Sequence, residues 1–168
     1  MPVFVVMGVA GSGKSTVGSL LAQRLGVPFF DGDDFHPEAN RQKMAAGNPL
    51  NDDDRRPWLL AMAAEFPGWN ARGGAVLACS ALKESYRELL KSHTPEVSFI
   101  HLHGTPELLR RRLETREGHY MKPGMLASQL ATLEPPTHGA IVLDIVQPPE
   151  VLVEQALDAL AIRKNPQS

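Results

Sequence analysis

Apolar and polar positions fall into blocks along this chain. Val3-Phe4-Val5-Val6-Met7 is an unbroken apolar run of strand length. Similar runs recur at Val27–Asp31, Ala75–Cys79, Ser98–Leu102 and Ala140–Ile145, and each is read as a strand. Between them the spacing turns helical. In Lys14–Leu25, for example, Val17, Leu20, Leu21 and Leu25 return on one side. Further helices are predicted over Pro37–Ala45, Asp52–Glu65, Lys83–Lys91, Pro106–Arg116, Lys122–Leu133 and Pro149–Ile162. Several open on a capping residue or an early proline, as at Asp52, Thr105-Pro106 and Pro148-Pro149. Pro67-Gly68 is expected to end the third helix, and Gly73-Gly74 to begin the turn into the central strand. Leu152, Val153, Ala156, Leu157 and Leu160 form a helix face suited to lie against a sheet.

Because the strand runs are mostly continuous, both faces of the sheet should be covered, as in parallel sheets. Strands alternating with helices then predict an α/β three-layer sandwich, a five-stranded parallel sheet with helices on both faces. No repeat, low-complexity tract or linker divides the chain, so residues 1–168 are read as one domain.

Composition narrows the partners. The 17 basic and 19 acidic residues leave a net charge of −2, which does not suggest a nucleic-acid or anionic-membrane partner. The single cysteine, Cys79, excludes an intramolecular disulfide and suits a reducing cytoplasm. The start lacks the basic region of a signal peptide, and no apolar run approaches membrane-spanning length. A cytoplasmic protein is expected.

The chemistry concentrates after the strands, where ligands of open parallel sheets bind. Gly8-Val9-Ala10-Gly11-Ser12-Gly13-Lys14-Ser15 fits G-x-x-x-x-G-K-S/T between a strand and a helix, the context of a phosphate-binding P-loop. Gly8, Gly11 and Gly13 permit backbone angles that turn N–H groups inward around phosphate oxygens. Ser12 and Thr16 belong to the same phosphate cradle. Lys14 would reach the β- and γ-phosphates of ATP, and Ser15 would hold Mg²⁺. A plain glycine-rich turn capped by serine would explain neither the lysine nor the spacing.

Phe29-Phe30-Asp31-Gly32-Asp33-Asp34-Phe35-His36 sets three carboxylates at the end of the second strand. The bland reading is an acidic turn with capping duty. Beside a P-loop, however, phosphoryl transfer needs a carboxylate to orient the acceptor hydroxyl and another for the metal. If strand alternation continues, Asp31 and Asp33 point the same way, with Asp31 for Mg²⁺ and Asp33 as base. The third strand ends in Cys79-Ser80 without a Walker B aspartate, so this cluster is the obvious supplier. Asn51-Asp52-Asp53-Asp54-Arg55-Arg56-Pro57-Trp58 is a second polar concentration. Its aspartates suit a helix N-terminus, whereas Arg55 could pair with an anionic acceptor. Trp58 and Trp69 are read as core. His101 and His103 are read as structural.

The P-loop, Asp31-Gly32-Asp33-Asp34-Phe35-His36-Pro37-Glu38-Ala39-Asn40, Lys43-Met44 and Gly47–Leu59 carry a family resemblance. It continues through Cys79–Lys83, Tyr86-Arg87, Gly118–Met121, Ser128-Gln129 and Leu133-Glu134-Pro135. From about residue 3 to residue 160 the chain resembles the gluconate kinases, within the shikimate-kinase-like and adenylate-kinase-like P-loop kinases. The His-Pro-x-x-Asn and Asp-Asp-Arg-x-Pro-Trp segments are far more specific than the P-loop. The resemblance implies transfer of the ATP γ-phosphate to the 6-hydroxyl of D-gluconate, with Mg²⁺, under a helical lid at residues 112–136. It implies that Asp33 orients the acceptor, that His36, Asn40, Lys43 and Arg55 line its pocket, and that the Ser80-Ala81-Leu82-Lys83 turn lies beside it. Arg112 and Arg116 resemble lid arginines that reach the ATP phosphates and adenine side, with Arg116 joining Lys14 in stabilising developing charge. By spacing alone they read as a solvated basic helix end. Gln147-Pro148 resembles the adenine-facing loop, and homodimers are common in the family.

Two departures from the family pattern stand out. The loop after Glu134-Pro135-Pro136 is short, and Pro67 falls where the helix usually continues. The competing functions are the same chemistry on another small sugar acid or a shikimate-like acceptor, and a nucleotide-binding regulatory module without turnover.

Overall fold

The structure is a computed structural model that describes residues 2–94, 96–115 and 123–164. Its elements follow in the order β1 (Val3–Met7), α1 (Lys14–Leu25), β2 (Phe29–Asp31), a 3-10 turn (Gly32–Phe35), α2 (Glu38–Ala45) and α3 (Asp52–Ala71). Then come β3 (Ala75–Ala78), α4 (Glu84–Leu90), β4 (Val97–His103), α5 (Pro106–Thr115), α6 (Pro123–Thr132), β5 (Ile141–Asp144) and α7 (Pro149–Lys164).

The five strands form one parallel sheet in the order β2-β3-β1-β4-β5. The chain moves outward once, from β1 past β3 to β2, and then returns across the sheet to β5. Right-handed crossovers therefore place α1 on one face and the later connecting helices on the other. The packing agrees: α1 lies against α7, and α3 against α4. All five residues of β1 are buried, as expected of a central strand covered on both sides. Leu152, Val153 and Ala156 of α7 are buried, and Leu157 and Leu160 pack against the core, so this face does meet the fold's interior.

Pro67 does not end the third helix. α3 runs through Pro57 and Pro67 to Ala71. A proline inside a helix removes one N–H and costs about 3 kcal/mol or more. Tertiary packing offsets it: Leu59, Met62, Ala63, Phe66 and Trp69 form one continuous buried face of α3. Trp69 also stacks on Phe30 of β2 with ring centroids 4.3 Å apart and meets Phe35 edge-on at 6.0 Å. Ending the helix at Glu65 would forfeit those contacts. Strand β2 begins at Phe29, two residues later than the apolar run suggests, because Val27 belongs to the end of α1: its N–H bonds Ala22 O at 3.0 Å.

Candidate active site

The P-loop bridges β1 and α1 and opens on a cleft of about 500 Å³. Gly8, Gly11 and Gly13 have φ of 152°, 83° and 90°, values that L side chains rarely adopt. Gly8 N–H donates to Ser80 O at 3.3 Å, tying the loop to the exit of β3. Gly13 caps α1 in a left-handed conformation, and no side chain caps that helix end. A Cβ added at Gly13 would meet nothing within 4 Å. The buried Ser12 Oγ has no hydrogen-bond partner among the described residues. Lys14 Nζ reaches back to Val9 O at 3.2 Å, while Ser15 and Thr16 stand exposed in the first turn. An open cradle, an orphaned hydroxyl and an uncapped helix N-terminus together fit a bound phosphate chain.

The carboxylates enter the same cleft by a different route from strand alternation. β2 stops at Asp31, and Gly32–Phe35 coils into a 3-10 turn. The Asp31 side chain caps that turn, accepting from Asp33 N–H at 2.9 Å. Asp31 and Asp33 nevertheless both line the cleft with Lys14 and Ser15. Crowding by protein and the neighbouring Asp31 carboxylate raise the Asp33 pKa, against the pull of Lys14. Cys79 also lines the cleft, but burial pushes its thiol up to about 12, so it is inert as a nucleophile.

On the other side of Asp33, His36 lies flat on Trp58, with centroids 4.3 Å and planes 11° apart. Trp58 is core, as expected, yet its indole N–H also holds Gly32 O at 2.7 Å and so fixes the turn that carries Asp33. Burial, then Arg41 and Arg55, lower the His36 pKa to about 4. The neutral ring accepts at Nδ1 from the Asn40 amide at 3.2 Å, which leaves Nε2–H as its donor. Asn40, itself buried, gives its other proton to Asp54 O at 2.8 Å, joining α2 to α3.

Lys43 is paired with Asp54 at 2.6 Å, and Asp54 also closes a capping box with Asn51. Arg55 donates to Tyr86 Oη at 3.0 Å, and Tyr86 donates to Asp52 at 2.5 Å. Lys83 reaches both Asp52 oxygens at 3.0 Å. The Tyr86 hydrogen bond first, and then Lys83, hold the Asp52 pKa below the usual range. The structure thus brings Arg55 and Lys83 together through Tyr86 and Asp52; Asp52, read from the sequence as a helix cap, is instead the first residue of α3, which Asn51 caps.

The Ser80–Lys83 turn contains Ala81 at φ 46°, the one non-glycine residue with positive φ among those described. Buried Arg87 restrains it by donating to Ala81 O at 2.7 Å and Leu82 O at 3.3 Å. The same guanidinium holds Glu134 O at 2.7 Å, Glu134 N–H bonds Leu82 O, and the Glu134 carboxylate receives Glu84 N–H. The short loop after Glu134 therefore leaves this contact intact. Arg112 is half-buried and donates to Ile145 O, just after β5 and just before exposed Gln147 and Pro148. Arg116 and His119–Met121 lie outside the described residues. Gln129 of α6, which also lines the cleft, accepts from Ala10 N–H of the P-loop at 2.7 Å. Only its place in a family stretch could have pointed to it.

The Shikimate kinase family model matches residues 10–130. The "Thermoresistant gluconokinase" of Escherichia coli (strain K12) is 44% identical over 162 residues, covering 94% of this chain and 93% of that protein. The chain belongs to the gluconokinases of the shikimate kinase family. A crystal structure of a gluconokinase from Sinorhizobium meliloti 1021 superposes with a TM-score of 0.87 at 44% identity, over 95% of this chain and 91% of the other. The APS kinase CysC of Mycobacterium tuberculosis, at 18% identity and a TM-score of 0.70 over 95% of this chain and 98% of that one, shares the fold. The segments Asp31–Asn40 and Asn48–Trp58 meet through the Trp58–Gly32, His36–Trp58 and Asn40–Asp54 contacts; of their predicted site residues Asp31 and Asp33 line the cleft, whereas His36, Asn40, Lys43 and Arg55 lie beyond its lining.

Proposed function

We propose that the cleft transfers the γ-phosphoryl group of ATP to the 6-hydroxyl of D-gluconate, giving 6-phosphogluconate and ADP. The observation that carries this reading is the presence of Asp33 and the P-loop lysine, Lys14, in one cleft, with the His36–Arg55 wall adjoining. The P-loop amides, Ser12 and Thr16 bind the phosphate chain, and Lys14 neutralises charge as it builds on the phosphoryl oxygens. By the family resemblance, Arg112 and Arg116 are assigned as the lid arginines for the ATP phosphates and adenine side, and Gln147-Pro148 as the adenine-facing loop. Ser15 and Asp31 are suited to hold Mg²⁺, which when bound would supply further charge neutralisation. Asp33 orients the acceptor hydroxyl and receives its proton; its raised pKa makes it a better proton acceptor than an ordinary aspartate. Arg55, held by Tyr86, presents its fork to the gluconate carboxylate. His36 offers Nε2–H to an acceptor hydroxyl, while Asn40, Lys43, Ser80 and Lys83 complete the pocket.

The test is Mg²⁺- and ATP-dependent ADP release with gluconate, its epimers, shikimate, glycerate or no acceptor. Stimulation by gluconate alone is the expected result. Stimulation by another acid would overturn the acceptor assignment, and nucleotide binding without any stimulation would overturn the kinase reading.

A further inference from the structure

Gln129 sits on α6, 119 residues from Ala10 in sequence, yet bonds its backbone N–H at 2.7 Å. A backbone N–H can only donate, so the atom facing Ala10 is the amide oxygen. The NH₂ is then the other corner of the same planar amide, and no acceptor takes its protons among the described residues. Gln129 lines the same cleft as Lys14 and Asp33. Its helix does not hang loosely there. Leu133 N–H bonds Gln129 O at 2.9 Å, and the next residue, Glu134, is clamped by Leu82 and Arg87 to the Ser80–Lys83 turn. A neutral donor pair thus belongs to a side chain tied to the phosphate loop at Ala10 and lining the cleft of Lys14 and Asp33, on a helix whose end is clamped at Glu134, a placement suited to electrostatic stabilisation of a transferring group.

We propose that Gln129 is a further catalytic residue, whose amide oxygen anchors the P-loop at Ala10 while its NH₂ donates to the γ-phosphoryl group in transit. This rests on the kinase reading above, but one arm of its test does not depend on the acceptor. Gln129→Met removes both functions at nearly constant size. Gln129→Glu keeps an oxygen for Ala10 N–H, removes the donors and adds a negative charge, so its loss is read beside the uncharged Gln129→Met, and its retention of wild-type behaviour would leave only the anchor.

Affinities of the wild type and both variants for Mg·ADP and for a non-hydrolysable ATP analogue are compared by calorimetry, beside kcat and KM with gluconate. Both variants are expected to lose about tenfold in affinity for the analogue with less than about threefold change for ADP, and to lose about tenfold or more in kcat. Gln129→Glu with wild-type analogue affinity and kcat would reduce the residue to an anchor and overturn the proposal. So would equal losses for ADP and the analogue in both variants. A wild type that binds both nucleotides but ignores gluconate would refute the acceptor reading, and the nucleotide comparison would still decide Gln129.

Discussion

Tyr86 receives a hydrogen bond from Arg55 at 3.0 Å while giving its own proton to Asp52 at 2.5 Å. Asp52 keeps the phenol proton pointed away from Arg55, so the guanidinium always meets a lone pair. One nitrogen of the arginine is thereby fixed and its direction set before an acceptor arrives. Tyr86→Phe keeps the ring but releases Arg55. It should raise the gluconate KM by about three- to tenfold with kcat little changed, since one hydrogen bond to a charged group is at stake. Arg55→Ala should raise KM by about a hundredfold. Steady-state kinetics at saturating ATP separates the two, and an equal fall in kcat and kcat/KM in Tyr86→Phe would contradict a binding role.

Lys14 spans the P-loop to Val9 O and lies in the cleft with Asp33. Its substitution by alanine should lower kcat by about a hundredfold to a thousandfold, the range for losing a preorganised charge partner. Circular dichroism should remain that of the wild type, because the lysine contributes no core packing. Near-normal turnover would refute the site assignment.

Asp33 has a raised pKa because of crowding and the adjacent Asp31. As pH falls, it is therefore protonated earlier than an ordinary aspartate, and the base is lost earlier. In the metal-free protein, NMR titration of the Asp33 carboxyl should place its pKa above the usual aspartate range and move it toward that range in Asp31→Asn. Asp33→Asn should lower kcat by about a hundredfold or more while the gluconate KM changes far less. An effect on KM alone would argue against the base role.

His101 is 3% exposed in β4, and burial first, then His103 and Arg87, lower its pKa to about 4. The unfolded chain therefore binds more protons than the native state between about pH 6.5 and 4. His101 contributes stability that is complete above pH 6.5 and is lost as pH falls toward 4. Denaturant unfolding at several pH values should show the folded state weakening across that window. The slope should be shallower in His101→Asn by about 1.4 kcal/mol per pH unit at most. An unchanged slope would show that His101 is protonated in the native state.

Pro67 is exposed within α3 and denies a hydrogen bond to the carbonyl of buried Ala63. Pro67→Ala restores that bond but frees the unfolded chain, two effects of opposite sign. The bond should prevail, for a net gain of about 1 kcal/mol and a Tm higher by about 3 °C. A lower Tm in thermal unfolding would mean that α3 has adapted fully to the proline.

What the chain announces by itself is local. The apolar run Val3–Met7, three glycines at set spacing, Lys14 and the amphipathic stretch to Leu25 lie within one strand-loop-helix unit, and the structure reproduces its bounds. The order of strands and helices likewise shows in hydrophobic period, because each element must bury its own face. Only tertiary structure decided whether α3 survives Pro67, since Phe30 and Phe35, which hold Trp69, arrive from another segment. The same holds for the direction of Asp33, set by a turn that Trp58 ties down from α3. Gln129 and Ala10, or Arg87 and Glu134, meet across 119 and 47 residues. No periodicity reports such pairs, because what joins them is the docking of one finished element on another.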